Sequence, residues 1–225
     1  MAKIDMHIHT SECDKAAHAS GAELVREYVK RGYDGIVITD HCFALFHEWF
    51  ADEVGGADHE RTVERWLAGY RAAKREAEKY DFTVLLGAEV RFDGTPNDYL
   101  VYGIDEQFLM SVPMLHRLSG LDELRRVLPE QALIAQAHPF RDNMTVCDPS
   151  QLFGIEVYNG GTEAFRNKMA RDFAQHYGKC MTSGSDCHAL SMVGRGGIQT
   201  ECPIKSNADL LRVLKSGEYT LIENK

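Results

Sequence analysis

Strand-length apolar runs alternate with helix-length amphipathic segments from one end of this chain to the other, and several of the runs end in histidine or an acid. Such alternation builds βα units around a mainly parallel sheet, because each amphipathic segment must cover a face of the strands it joins. Strands are expected at residues 4–10, 34–41, 82–92, 99–104, 132–139, 154–159, 179–185 and 198–202. In the first, Ile4, Met6 and Ile8 face one way and Asp5, His7 and His9 the other, following the two-residue period of an extended chain. The unbroken Ile36-Val37-Ile38 run suits a strand covered on both faces. A capping box of Ser20 and Glu23 opens one helix, whose stripe of Val25, Tyr28 and Val29 stops at Gly32. Further helices are expected as one long element over 57–79, over 121–128 before Pro129, around Phe165, Met169 and Phe173, and from a cap at Asn207 to near Gly217.

The 225 residues show no repeat or linker-like tract, so a single domain spanning 1–225 is expected. With 25 basic against 34 acidic residues, the net charge of −9 argues against a broad grip on nucleic acid or anionic membrane. Any anion must then be met by a local site. No run approaches the roughly 18 apolar residues of a membrane span. Residues 1–10 lack a signal-peptide pattern, which makes a cytoplasmic location the expectation. Cys13, Cys42, Cys147, Cys180, Cys187 and Cys202 lack the spacing of a structural zinc site and read as reduced thiols.

His7 and His9, Asp40 and His41, Glu89, His138, then Asp186 and His188 fall at the carboxyl ends of expected strands. Parallel α/β sheets assemble their sites there. Residues two apart on a strand point the same way, so the His7 and His9 imidazoles can reach one cation, and Asp186 and His188 repeat the geometry with a carboxylate. A lone histidine is more often a core residue, but this many ligand types at one end of successive strands point to metal. Imidazole and carboxylate without thiolate suit zinc, manganese or iron rather than a cysteine-type zinc site or an all-oxygen calcium site. The candidates outnumber the ligands of one ion, and Glu89 could bridge two cations about 3.5–4 Å apart with an activated water between them.

In order, DMHIHT (5–10), ITDH (38–41), GAEV (87–90), AHP (137–139) and GSDCH (184–188) resemble the motifs of the PHP family, the polymerase and histidinol phosphatase domains, and the resemblance extends from residue 5 to about 196. It implies an α/β fold, a distorted seven-stranded TIM-like β/α barrel, with two or three divalent metal ions (Zn, Mn or Fe) serving phosphoester hydrolysis by metal-activated water. By motif, His7, His9, Glu89 and Asp186 resemble the shell of one metal, and Glu89 with His138 a second. His41 and His188 resemble ligands of a third, completed from the loop after the first strand by Asp14 or by His18. Where relatives carry a ligand histidine in H-x-L-x-x-G-I, this chain has Asp98. It reads equally as a harder oxygen donor and as a turn residue after Pro96 and Asn97.

Two residues are candidates for catalytic work: Asp40, to orient a ligand or assist proton transfer, and Arg195, in a glycine-rich run, to grip phosphate unless it is an ordinary loop arginine. Arg91, Arg141 and Asn143 are weaker candidates; the Phe43, Phe46, Trp49, Phe50 cluster reads as a lid or, preferably, as local packing. His47, His59, His116 and His176 read as surface or core histidines. The expected function is hydrolysis of a small phosphorylated metabolite or short nucleotide, with no stable nucleic-acid complex and no membrane partner. The rivals are an amidohydrolase-like deaminase or amidase and a non-catalytic, metal-stabilised module. Against the first stands the lack of an evident bridging lysine at a strand end, and against the second the near-complete set of ligand types.

Overall fold

The structure, a computed structural model, describes residues 1–224. The chain runs through β1 (Ala2–Asp5), α1 (Gly21–Lys30), β2 (Gly35–Ile38), β3 (His41–Cys42), α2 (Ala44–Trp49), α3 (Ala51–Val54), α4 (His59–Trp66), α5 (Ala68–Ala77) and β4 (Thr83–Val90). It continues with β5 (Tyr99–Tyr102), α6 (Glu106–Ser111), α7 (Leu121–Val127), β6 (Leu133–Gln136), β7 (Gly154–Asn159) and α8 (Ala164–His176), and ends with β8 (Cys180–Gly184), β9 (Gly196–Thr200), α9 (Asn207–Ser216) and β10 (Thr220–Glu223).

All ten strands join one sheet in the order β10-β9-β1-β2-β4-β5-β6-β7-β8, with β3 beside β4. Pairing is parallel from β1 through β2 to β4 and from β6 through β7 to β8, whereas β5 and β9 run against their neighbours. An isolated parallel bridge from Ile8 to Cys187, with Gly197 N–H donating to Ser183 Oγ at 3.1 Å, brings the two ends of the sheet together. The result is a nearly closed mixed barrel of nine strands, rather than seven. One of the nine, β10, is a short edge after the Gly217 turn, and β3, outside that count, resumes the β2 line where Thr39 and Asp40 break it.

The capping box at Ser20 is present. The segment expected as one long helix divides at Leu67, where the Trp66 carbonyl accepts from Cys13 Sγ at 2.6 Å. Ser206, one residue before Asn207, caps α9 by accepting from Asp209 N–H. On α8 the inward residues are Asn167, Ala170 and Ala174, while Phe165 and Met169 are 59% and 46% exposed. The helix turns this way because the Asn167 side chain holds the backbone of Asn159 at 3.1 Å on both its N–H and its carbonyl.

Two apolar clusters stabilise the barrel. One packs α1, α4 and α5 against Ile36, Ile38, Val84 and Leu86; the other joins Ile4, Val37, Leu85 and Leu100 to Leu210, Leu211 and Leu214 of α9. Phe46 is fully buried and Phe43 and Phe50 nearly so, making the aromatic run after His41 part of the core. All six cysteines are free. Among the described residues, no helix is long and apolar enough to cross a membrane.

Candidate metal centre

At one end of the barrel β1 continues into His7 and His9, both fully buried. Glu89, near the end of β4, reaches four imidazoles: Oε1 lies 3.0 Å from His138 Nε2 and 3.3 Å from His7 Nε2, and Oε2 lies 2.9 Å from His41 Nε2 and 3.4 Å from His9 Nε2. Asp186 Oδ1 stands 3.4 Å from His7 Nε2, 3.3 Å from His9 Nε2 and 3.4 Å from His188 Nδ1. Asp14 Oδ2 stands 2.8 Å from His41 Nδ1 and 3.4 Å from His188 Nε2.

Backbone geometry aims two of these side chains at a cost. His138 and Asp186 have φ of 27° and 50°, left-handed values that non-glycine residues rarely adopt. Strain of this kind persists where the surroundings over-determine it, and it gathers at functional sites. At Gly184 a Cβ would lie 2.3 Å from that of His7, so only glycine admits β1 this close to β8.

The cluster is electrostatically unsettled on its own. Burial drives His9 down to about 3, leaving a neutral imidazole. Burial also disfavours a charge on His41, but Glu89 and Asp14 overcome it and raise His41 to about 10. Burial pushes Glu89 and Asp186 up, yet the neighbouring histidines hold both well below the usual carboxylate range. His7 Nε2, both ring nitrogens of His9 and Glu89 Oε2 are buried with no hydrogen-bond partner, although the Nε2 atoms of His7 and His9 lie 3.3 and 3.4 Å from the Glu89 carboxylate. Buried polar atoms of native proteins are rarely left so.

Close approach without hydrogen-bond geometry is what atoms aimed at a common cation show. Four groups have ligand atoms within 4.8 Å of one another: His9, Asp14, His41 and His188; His7, His9 and Glu89; His7, His138 and Asp186; and Glu89, Asp98 and His138. Imidazole and carboxylate of this mix fit borderline divalent cations, so the residues present fit the expected metals.

The family described as PHP-associated matches residues 165–219. Among solved structures, a two-domain protein from Bacteroides vulgatus, described as containing a PHP-like metal-dependent phosphoesterase, superposes with a TM-score of 0.72 at 19% identity over 99% of this chain. The chain spans 65% of that protein's length. The chain shares the fold of that protein. PsfC from Pseudomonas syringae matches at TM-score 0.64 and 18% identity, over 93% of this chain and 87% of PsfC. Endonuclease Q, solved with a 27-mer duplex substrate bearing an abasic lesion at its active site, matches at 0.58 and 13%, over 96% of this chain and 56% of the enzyme. No curated protein matches this chain.

The alternatives left open by the sequence lie in different surroundings. Asp14 lies inside the cluster and fully buried, turned inward by Cys13 and Asp14 N–H groups that both donate to the Thr10 carbonyl. The His18 side chain is exposed and belongs to none of the four groups. Asp98 is not a surface turn residue: it is fully buried, 3.9 Å from His138 Nε2, with both oxygens held at 2.6 Å by Arg91.

Asp40 accepts from Thr10 N–H at 2.6 Å and Thr10 Oγ1 at 2.8 Å, and burial pushes it up to about 7. It belongs to none of the four ligand groups, and its hydrogen bonds secure the loop that carries Asp14. Arg195 donates to the Gly160 carbonyl and lines a cavity of about 500 Å³ with Lys168, Arg171 and Glu223. Its backbone is tied between Met192 and Asn224, and α8 forms part of the cavity wall it faces. The guanidinium at the centre is that of Arg141, on Asp186. Sequence reasoning gave no role in the site to Glu156 and Asn159, both buried beneath the cluster. The available signal was two polar residues in a strand, GIEVYN, that is otherwise suited to complete burial.

Proposed function

We propose that this chain is a PHP-type metal-dependent phosphoesterase that hydrolyses a small phosphorylated metabolite or short nucleotide. Two or three divalent cations, zinc, manganese or iron, would be held by His7, His9, Asp14, His41, Glu89, Asp98, His138, Asp186 and His188. The observation that carries this reading is the convergence of four ligand groups on buried nitrogen and oxygen atoms that have no other partner. Cations there would supply charge neutralisation for phosphoryl oxygens and a water acidic enough to ionise near neutral pH. For a chain of net charge −9, that is where an anionic substrate finds its attraction.

The protein's own residues shape the approach. His7 and His9 are sealed, whereas the side chains of His188 and Arg141 are 24% and 37% exposed, so the cluster opens to solvent on the side of these two. Arg141 is placed there to take a non-bridging phosphoryl oxygen. Phe43 stacks on His41 with ring centroids 4.7 Å apart and keeps water from that flank.

The duplex substrate of endonuclease Q supplies the second reading, cleavage of a nucleic-acid phosphodiester. The acidic balance weighs against it, because phosphate-backbone binding rests on lysine and arginine. The deciding experiment assays protein purified without chelator and reloaded with Mn²⁺ or Zn²⁺ against an aryl phosphate, an aryl phosphodiester, an abasic duplex and an amide panel. Turnover of the small esters supports the proposal. Cleavage of the duplex alone transfers it to nucleic acid, and turnover of amides alone, or of nothing, refutes it.

A further inference from the structure

Strand β7 lies between β6, which leads to His138, and β8, which leads to Asp186, and it contributes no member to the four ligand groups. It carries Glu156 and Asn159, 1% and 0% exposed. Residues three apart on a regular strand point to opposite faces. Here the register against β8 shifts between Glu156 and Tyr158, so that Glu156 pairs with Thr182 but Tyr158 with Ser183. The extra residue is a β-bulge, a device that re-aims side chains. It turns Asn159 onto the side of Glu156, and Asn159 Nδ2 donates to Glu156 Oε2 at 2.9 Å.

Around the Glu156 carboxylate stand two donors and one imidazole nitrogen. His7 Nδ1 lies 2.8 Å from Oε1, and His138 N–H donates to Oε2 at 3.0 Å beside the Asn159 amide. A carboxylate is the side chain with acceptors at both ends and no obligatory donor. Asn159 Nδ2 also lies 3.2 Å from Asp186 Oδ2, while its Oδ1 accepts from Gly161 N–H at 2.9 Å. One carboxylate and one amide therefore touch three ligand residues supplied by three different strands.

We infer that the bulged strand is a positioning device for the metal centre. Glu156 holds His7 with Nδ1 as donor and Nε2 turned to the cation, and Asn159 ties that pair to Asp186. The inference rests on the metal-centre reading and deepens it. Hydrogen bonds to the far side of a ligand imidazole fix its tautomer and orientation and typically matter about 10- to 100-fold in metal affinity.

The test titrates chelator-stripped full-length protein with Co²⁺, following the visible absorption of the bound ion, in wild type, Glu156→Gln, Glu156→Asp and Asn159→Leu. In Glu156→Gln an amide NH₂ must face a donor. The expected result, in variant protein shown to be folded without metal, is Co²⁺ binding about 10- to 100-fold weaker with an altered spectrum, and partial recovery in Glu156→Asp. Asn159→Leu, which leaves Glu156 in place, is expected to weaken binding about tenfold and keeps the test available should the glutamine variant not fold. Wild-type affinity and spectrum in whichever of these two variants folds overturn the inference. Failure of wild type to take up Co²⁺ overturns the metal-centre reading itself, and the two failures are thereby told apart.

Discussion

The guanidinium of Arg141 closes on the carboxylate of Asp186, bringing a cation from the loop after β6 onto the acid that also approaches His7, His9 and His188. The pair joins a partly exposed arginine to a buried acid, so it marks where the cluster meets solvent. A charge-assisted hydrogen bond contributes about 1.5–3 kcal/mol. Arg141→Ala is therefore expected to lower kcat/KM on an aryl phosphate about 10- to 100-fold, with metal content unchanged. Arg141→Lys should recover only part of it, because an ammonium lacks the planar fork. Undiminished kcat/KM in the alanine variant would remove Arg141 from substrate contact.

Removing metal should cost stability. His7 Nε2, His9 Nδ1 and Nε2, and Glu89 Oε2 have no hydrogen-bond partner, and a cation is what would satisfy them. A ligand at 100 times its Kd stabilises by about 2.7 kcal/mol, which for a chain this long corresponds to about 5–10 °C. Differential scanning fluorimetry in chelator, then with Zn²⁺ or Mn²⁺ restored, should show a rise of that size. An unchanged melting temperature would mean that the cluster binds neither ion.

What was legible in the sequence is what depends on local period. His7 and His9, two apart on an extended chain, point the same way whatever the rest of the fold does, and the capping box at Ser20 is settled within four residues. What was not legible depends on distant partners. Asp14 turns inward because its loop hangs on Thr10, which hydrogen-bonds Asp40 thirty residues away. Arg141 and Arg195 look alike as loop arginines, but the first pairs with Asp186 and the second with the Gly160 carbonyl. Phe165 and Met169 have a core-like spacing but face outward, since the inward position on α8 goes to Asn167. The bulge in β7 leaves no trace in the residue pattern.

Glu89 belongs to two of the four ligand groups and His188 to one. Glu89→Ala should therefore lower the metal-to-protein ratio, measured by plasma mass spectrometry, by more than one ion, and His188→Ala by one at most. Turnover should disappear in the first variant. An equal loss of metal in both would show that Glu89 does not link two sites.

His116 lies away from the metal centre, 1% exposed, with Cys42 Sγ 3.6 Å from its Nδ1 and the His47 ring centroid at 5.1 Å. Burial lowers it from 6.5 to about 4. Because the folded state holds this base neutral, the unfolded chain binds the extra proton between those values. Its contribution to stability is complete above about pH 6.5 and is lost as the pH falls toward 4, by about 3 kcal/mol in all. His116→Gln removes the titration while keeping an amide donor. Urea unfolding at about pH 7.5 and 4.5 should show wild type losing about 2–3 kcal/mol more than the variant over that interval. The groups the two proteins share cancel in that difference, so equal losses would mean that His116 titrates in the folded protein as it does in the unfolded chain.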